Sequence, residues 1–247
     1  MITSVDFSLA EVTTQDKLIH QGVFSNPGKP GKKALLWVHG LSSAFYSHIE
    51  LLNEFARQSK VNGFCFAAFN NRGHDAISGA RKLDTRKVKG YSHVNAGAGY
   101  ESFAESVFDI EAGMKFLTKQ GFSQIVLIGH STGANKVCYF AATRKTPHVG
   151  AIILASPLSD RLDTVLDQEK LQKDLEHMQN LVRQGRGDEL QLGYHYFPMT
   201  PKRFISLFSK NSLEDQFDYG DPKPRLKYFS KIKLPTLIIL GSADEYL

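Results

Sequence analysis

The sequence predicts an α/β protein, with a mostly parallel central sheet and helices on both faces. Three observations carry this. The segments ALLWVHG, FCFAAFN, IVLIG, GAIILAS and TLIIL are apolar throughout rather than alternating, as strands covered on both faces are. Helix-forming stretches separate most of them, the order expected of βαβ units. The chain has 247 residues, 42% hydrophobic and 22% charged, which is enough to bury a full core.

The elements follow in order. VDFSLAEV and KLIHQGVFS read as two strands of a hairpin, with NPGKPGKK as a Gly/Pro turn after them. ALLWVHG is a buried strand, and Trp37 within it is a core residue. SHIELLNEFARQ reads as a helix capped by Ser47, with Glu50 at the capping-box position. FCFAAFN is the next buried strand, and residues 70–99 read as a polar loop. A long helix is predicted from about Glu101 to Gln120. Its Phe103, Val107, Ile110, Met114 and Leu117 step by four and three along one face, and Gly121 ends it. Strand IVLIG, helix GANKVCYFAATRK and strand GAIILAS come next.

Residues 158–222 break this rhythm. A charged helical run, DQEKLQKDLEHMQNLVRQ, precedes an aromatic one, YHYFPMTPKRFISLF. Inserted segments of this size usually carry function, so the expectation is a helical lid over the C-terminal edge of the sheet. An ordinary surface excursion is the plainer alternative. The division is then 1–157 and 223–247 for the core and 158–222 for the lid, with TLIIL as the last strand.

Composition excludes several classes. No run is long and apolar enough for a membrane span. The opening MITSVDFSLAEVTTQD lacks the basic and apolar regions of a secretory signal. Cys65 and Cys138 lie in separate apolar segments, which argues against a disulfide framework and for a cytoplasmic location. The formal net charge is +5, and RKLDTRKVKG (81–90) holds five Lys/Arg against one Asp. That run reads as a solvated loop, since no aromatic interleaving or nucleic-acid module accompanies it. Nothing in the sequence indicates a cofactor, a metal site or an oligomeric state.

Gly129-His130-Ser131-Thr132-Gly133 is a G-x-S-x-G pattern with an apolar strand before it and a helix after it. A serine in such a tight turn needs small neighbours two residues away, so that strand and helix can approach. Its hydroxyl then projects at a helix N-terminus, where negative charge is favoured. A Gly/Ser turn without chemistry, or one cradling a phosphate, is the alternative. For an oxyanion, the expected donors are the backbone N–H of Thr132 and, after the tight turn at Gly40, that of Leu41.

These motifs together resemble the α/β-hydrolase superfamily: HGLSS after one strand, FNNRGHD after the next, GHSTG at the elbow and LPTLIILGSADEYL late in the chain. FNNRGHD and the helix beginning GYESFAESVFDIEAGMKFL also resemble the DUF1749-like serine hydrolases. The resemblance implies an acid in a G-x-x-D turn past a late strand. Asp244 in Gly241-Ser242-Ala243-Asp244 fits, with Glu245 and Asp160 as fallbacks. It implies a histidine base after that acid, and none follows Asp244 within the 247 residues.

Of the histidines present, His130 neighbours the serine but points elsewhere, and His39 reads as structural. His74, His177 and His195 could approach the site. The expectation is that the natural chain continues and supplies the base, and that the chain as given is weak or inactive. Arg72 and Gly73 read as structural, the guanidinium tying loops together.

The implied function is a serine hydrolase acting on small-molecule carboxylic esters through an acyl-enzyme. An acyltransferase or thioesterase using the same nucleophile, or a non-catalytic binding protein, is the alternative. Tyr194, Tyr196, Phe197, Phe204 and Phe208 in the lid suggest an apolar or aromatic substrate portion, though core packing explains them equally.

Overall fold

The computed structural model describes residues 5–27, 31–145, 147–159, 167–210, 212–217, 223 and 226–241. Among the described residues nine strands form one mixed sheet: β1 (Ser8–Thr13), β2 (Leu18–Ser25), β3 (Lys33–Val38), β4 (Phe64–Phe69), β5 (Ser78–Leu83), β6 (Tyr91–Ala96), β7 (Gln124–His130), β8 (Val149–Ala155) and β9 (Thr236–Ile239). The spatial order is β6-β5-β2-β4-β3-β7-β8-β9, with β1 paired to β2. From β4 through β9 the neighbours are parallel, and the β1, β2, β5 and β6 end is antiparallel.

The apolar strands are buried on both faces because their side chains alternate between two cores. Leu36, Val38, Cys65, Ala67, Phe69, Ile125 and Leu127 face α2 (Ser106–Lys119) and α3 (Thr132–Thr143). Trp37, Phe66, Ala68 and Ile128 face α1 (Ile49–Val61), through its Leu52 and Ala56. Phe103, Val107, Ile110, Met114 and Leu117 are all buried, as their spacing predicts. Gly121 closes α2 at φ 93°. Both cysteines are buried and unpaired.

Three expectations are corrected. The α1 N-cap is His48, with no side-chain capping bond. Ser47 Oγ instead accepts the Ala44 N–H at 2.8 Å, so the loop takes the hydroxyl that a capping box would use. The helix expected from Glu101 begins at Ser106, because Ser102 is extended and Phe103–Glu105 form a 3-10 turn. The polar loop 70–99 contains the β5–β6 hairpin, in register from Ser78↔Ala96 to Leu83↔Tyr91. Charged and small side chains hide it in the sequence, since neither face of the hairpin is strongly apolar.

Within 158–222 the described helices are α4 (Gln168–Arg183) and α5 (Pro201–Phe208). Residues between them are irregular where Gly185, Gly187, Gly193 and Pro198 interrupt the helical run, with one bridge, Gln191↔Met199. Leu175, Met178, Leu181, Phe197, Met199, Phe204, Leu207 and Phe208 form a cluster of their own, against which Leu41 and Ala76 pack. At the far edge, Leu237, Ile238, Ile239 and Leu240 of β9 and its end are between 43% and 53% exposed.

Candidate active site

The site forms where β3 and β7 end side by side. Val38 pairs with Gly129, so the turn after β3 and the turn after β7 leave the sheet at the same level. Ser131 occupies the second turn at φ 55°, ψ −132°, a conformation costly for a side chain with a Cβ. Its backbone is held on both sides: the Ser131 N–H donates to the Ala155 carbonyl at 2.9 Å, and its carbonyl accepts the Ala134 N–H at 2.8 Å. The flanking glycines permit the approach. A Cβ on Gly129 would sit 2.6 Å from the Ala134 nitrogen, and one on Gly133 would overlap the Val38 carbonyl and lie 2.8 Å from that of His39.

Gly40 faces the serine directly. A Cβ built there would lie 3.3 Å from Ser131 Oγ and 3.0 Å from the His130 carbonyl. His39 is fully buried and orients this turn. Its Nε2 accepts the Asn71 backbone N–H at 3.0 Å, which leaves the ring proton on Nδ1 to donate to the Gly40 carbonyl at 3.0 Å. Asn71 Nδ2 also donates to the His39 carbonyl at 3.1 Å. Burial, then the Lys136 charge, holds the His39 pKa well below its ordinary value, so the ring is neutral.

The Gly40–Leu41 peptide is trans, as no cis bond occurs among the described residues, so the Gly40 carbonyl and the Leu41 N–H point opposite ways. Neither the Leu41 N–H nor that of Thr132, the first residue of α3, has an acceptor among the described residues.

A chain of buried charges underlies the site. Lys136, one turn into α3, pairs with Glu101 at 2.5 Å and donates to Asn71 Oδ1 at 3.3 Å. Glu101 also pairs with Arg203 of α5 at 3.4 Å, and Arg203 pairs with Glu214 and donates to the Ala98 carbonyl at 2.9 Å. Asn135 Nδ2 donates to the Glu214 and Leu158 carbonyls, each at 2.7 Å. This network joins the elbow helix to α5. The sequence reading missed Lys136, Asn71, Glu101 and Arg203. A lysine inside the otherwise apolar GANKVCYFAA helix was the available signal.

Arg72 is buried and bonds Asp109 from its backbone N–H at 3.0 Å, from Nε at 3.1 Å and from a terminal nitrogen at 3.0 Å, with Glu105 and Asp16 completing its shell. The far loop and α2 are thereby tied together. Burial alone would raise the Asp109 pKa, but His20 and Arg72 outweigh it and hold it well below the carboxylate range.

The histidines are engaged elsewhere. The His130 ring stacks on Trp37, with centroids 5.6 Å apart, and faces His48. Burial, then His48, lowers its pKa. The His74 Nδ1 lies 2.9 Å from the Asn71 carbonyl. His177 stacks on Tyr194, and His195 packs among Tyr196, Phe197 and Phe208, its pKa lowered to about 4 by burial and then by Arg203. None hydrogen-bonds Ser131 among the described residues. Asp244, Glu245 and Asp160 lie outside the described residues. Among the described residues no cluster suits a metal ion, and no helix is long and apolar enough to cross a membrane.

The family described as "Protein of unknown function (DUF1749)" matches residues 88–247, more than half of the chain. No curated protein matches. Among solved structures, an α/β-hydrolase fold protein of unknown function aligns with a TM-score of 0.63 at 17% identity, over 99% of this chain and 78% of its own. Est1E from Butyrivibrio proteoclasticus, with ferulic acid bound, aligns at 0.60 and 14%, over 96% and 80%. The Pyrococcus furiosus esterase Pf2001 aligns at 0.56 and 18%, over 98% and 72%. These similarities establish the α/β-hydrolase fold.

Proposed function

We infer that this chain, which belongs to the DUF1749 family, is a serine hydrolase that cleaves small-molecule carboxylic esters through an acyl-enzyme on Ser131. One observation carries the reading: Ser131 sits in a strained turn at φ 55° with its Oγ against the Gly40 backbone. Strain of this kind persists where the surroundings hold it, and here two glycines, Ala155 and Ala134 do so.

In this reaction Ser131 Oγ attacks the acyl carbonyl, and the Leu41 and Thr132 N–H groups receive the developing oxyanion. The alcohol departs, and water releases the acyl group. His39 fixes the peptide that carries the Leu41 donor. Asp244 orients the base. No described histidine bonds Ser131, so the proton acceptor is assigned to none of them. The esterases that share the fold support this chemistry. The packing of Leu41 against the α4–α5 cluster supports residues 158–222 as a lid over the oxyanion turn. A bond of 3.3 Å between Ser42 Oγ and the exposed Tyr196 hydroxyl supports it too, and suggests that the lid's aromatic side chains meet the substrate.

Imidazole added to the solvent can stand in for a base. The test is hydrolysis of a p-nitrophenyl ester, and labelling by a fluorophosphonate, with and without imidazole. The wild-type chain should gain activity and label at Ser131, and Ser131→Ala should do neither beyond the rate of imidazole alone. Equal rates for both would remove Ser131 from the chemistry. A wild-type chain that never labels would instead favour a binding protein on this fold, the reading to which the unengaged serine also lends itself.

A further inference from the structure

The β5–β6 hairpin carries a feature that ester hydrolysis does not use. Residues 81–90 hold five Lys/Arg against one Asp, a net +4 of the chain's formal +5. The tip closes through the Asp84 N–H to the Gly90 carbonyl at 2.9 Å and the Gly90 N–H to the Lys87 carbonyl at 2.8 Å.

Its lone acid is already spent. Arg86 clasps Asp84 through Nε at 2.9 Å and a terminal nitrogen at 3.1 Å, and these bonds hold the Asp84 pKa down to about 2. Arg81 is likewise engaged, with Glu11 and the face of Tyr91. Lys82, Lys87 and Lys89 form no ion pair with a described residue. Neither does Lys17, whose carbonyl accepts the Leu83 N–H at 2.8 Å and so holds it beside them. Lys17, Lys82, Arg86, Thr85 and Ser92 line one shallow groove. Beyond it, between Lys87 and Lys89, Val88 is wholly exposed at 107%.

The register fixes where this tip stands. Gly22 of β2 is level with Phe69 at the end of β4, and Ile19 is level with Arg81. Three residues of β2 separate them, so Arg81 lies about 10 Å beyond the end of β4 at the usual rise per residue. The tip extends farther still. The hairpin therefore leaves the sheet at the end where β3 and β7 present Gly40 and Ser131.

We propose that the 81–90 hairpin tip is a docking element for an anionic phospholipid surface: Lys17, Lys82, Lys87 and Lys89 meet the headgroup phosphates, and Val88 enters the interface. The charge is complementary, four lysines are uncommitted, and an apolar side chain stands foremost where a merely solvated loop would be polar. The run lacks the interleaved aromatic side chains on which nucleic-acid bases stack. Such docking would turn the Ser131 end of the sheet toward lipid.

The test is flotation of the 247-residue chain with phosphatidylcholine vesicles, with and without phosphatidylserine, at low and high salt. Binding is expected only with phosphatidylserine and should weaken in salt. Lys87→Glu with Lys89→Glu should reduce it at least about 25-fold, taking about fivefold per lysine. Val88→Ser should reduce it about fivefold at unchanged charge. All three positions are exposed, so the melting temperature should not move. Failure to float with phosphatidylserine, equal flotation without it, indifference to the Lys87/Lys89 substitutions, or binding confined to DNA or RNA would each overturn the proposal. Every outcome is independent of whether Ser131 reacts.

Discussion

The His39 imidazole and the Asn71 backbone amide are joined by a 3.0 Å bond in which the ring nitrogen is the acceptor. That single bond settles the tautomer, and the tautomer settles which way the Gly40–Leu41 peptide faces. His39→Phe keeps much of the volume but strands the buried Asn71 N–H and frees the Gly40 carbonyl. Urea unfolding should show a loss of about 1–3 kcal/mol. The imidazole-assisted esterase rate should fall about 100-fold, the scale of a lost oxyanion donor.

Acid should loosen the same joint. The pKa of His39 is lower in the folded chain than its ordinary 6.5, so below about pH 6.5 the unfolded chain binds more protons. Stability then falls as the pH drops, by up to about 1.4 kcal/mol per pH unit from this group. Asp109, also depressed, adds its own loss only once the pH falls below its ordinary 3.8. Unfolding free energies measured from pH 7 to pH 3 should decline first above pH 4. His39→Phe should make that upper part shallower, leaving the share of His74, His130 and His195, whose pKa values are also lowered, and the lower part unchanged.

Two glycines in neighbouring strand–helix units should respond oppositely to alanine. Gly133→Ala drives a methyl into the Val38 and His39 carbonyls and should cost about 3 kcal/mol or prevent folding. Gly150→Ala in β8 meets nothing within 4 Å and should be neutral or stabilising by up to about 1 kcal/mol. Paired thermal melts decide this.

Lys136→Met should cost about 3–5 kcal/mol, because Glu101 would stay buried with its nearer cation gone. The double substitution Lys136→Met with Glu101→Gln should recover part of that loss. A denaturant series over the two singles and the double reads the coupling, and additivity would mean that the pair contributes nothing.

Much of the architecture was legible because it rests on hydrophobic pattern. Leu36, Trp37 and Val38 must all be apolar if both faces of β3 are covered, and the four–three spacing from Phe103 to Leu117 has one helical explanation. The elbow was legible for a steric reason, since Gly129 and Gly133 stand where no Cβ fits. What escaped depended on distant partners. Ser47 could cap a helix or bind the Ala44 amide, and only the folded loop chooses. The β5–β6 hairpin has only a small apolar face, Ala80, Val94 and Ala96 against Leu18, which does not stand out among its charged neighbours in the sequence. Lys136, Glu101 and Arg203 lie far apart in the chain, and neither spacing nor composition reveals that they share one buried site. Arg72 was the exception, read as a tie between loops and found bonded to Asp109, Glu105 and Asp16.

The β9 edge has a practical consequence. Leu237, Ile238 and Ile239 expose aliphatic side chains along a strand that pairs only with β8 among the described residues. A bare, greasy edge is a template for strand addition by another molecule. Concentrated preparations should therefore self-associate, and turbidity should rise with protein concentration. Ile238→Lys should keep the solution clear.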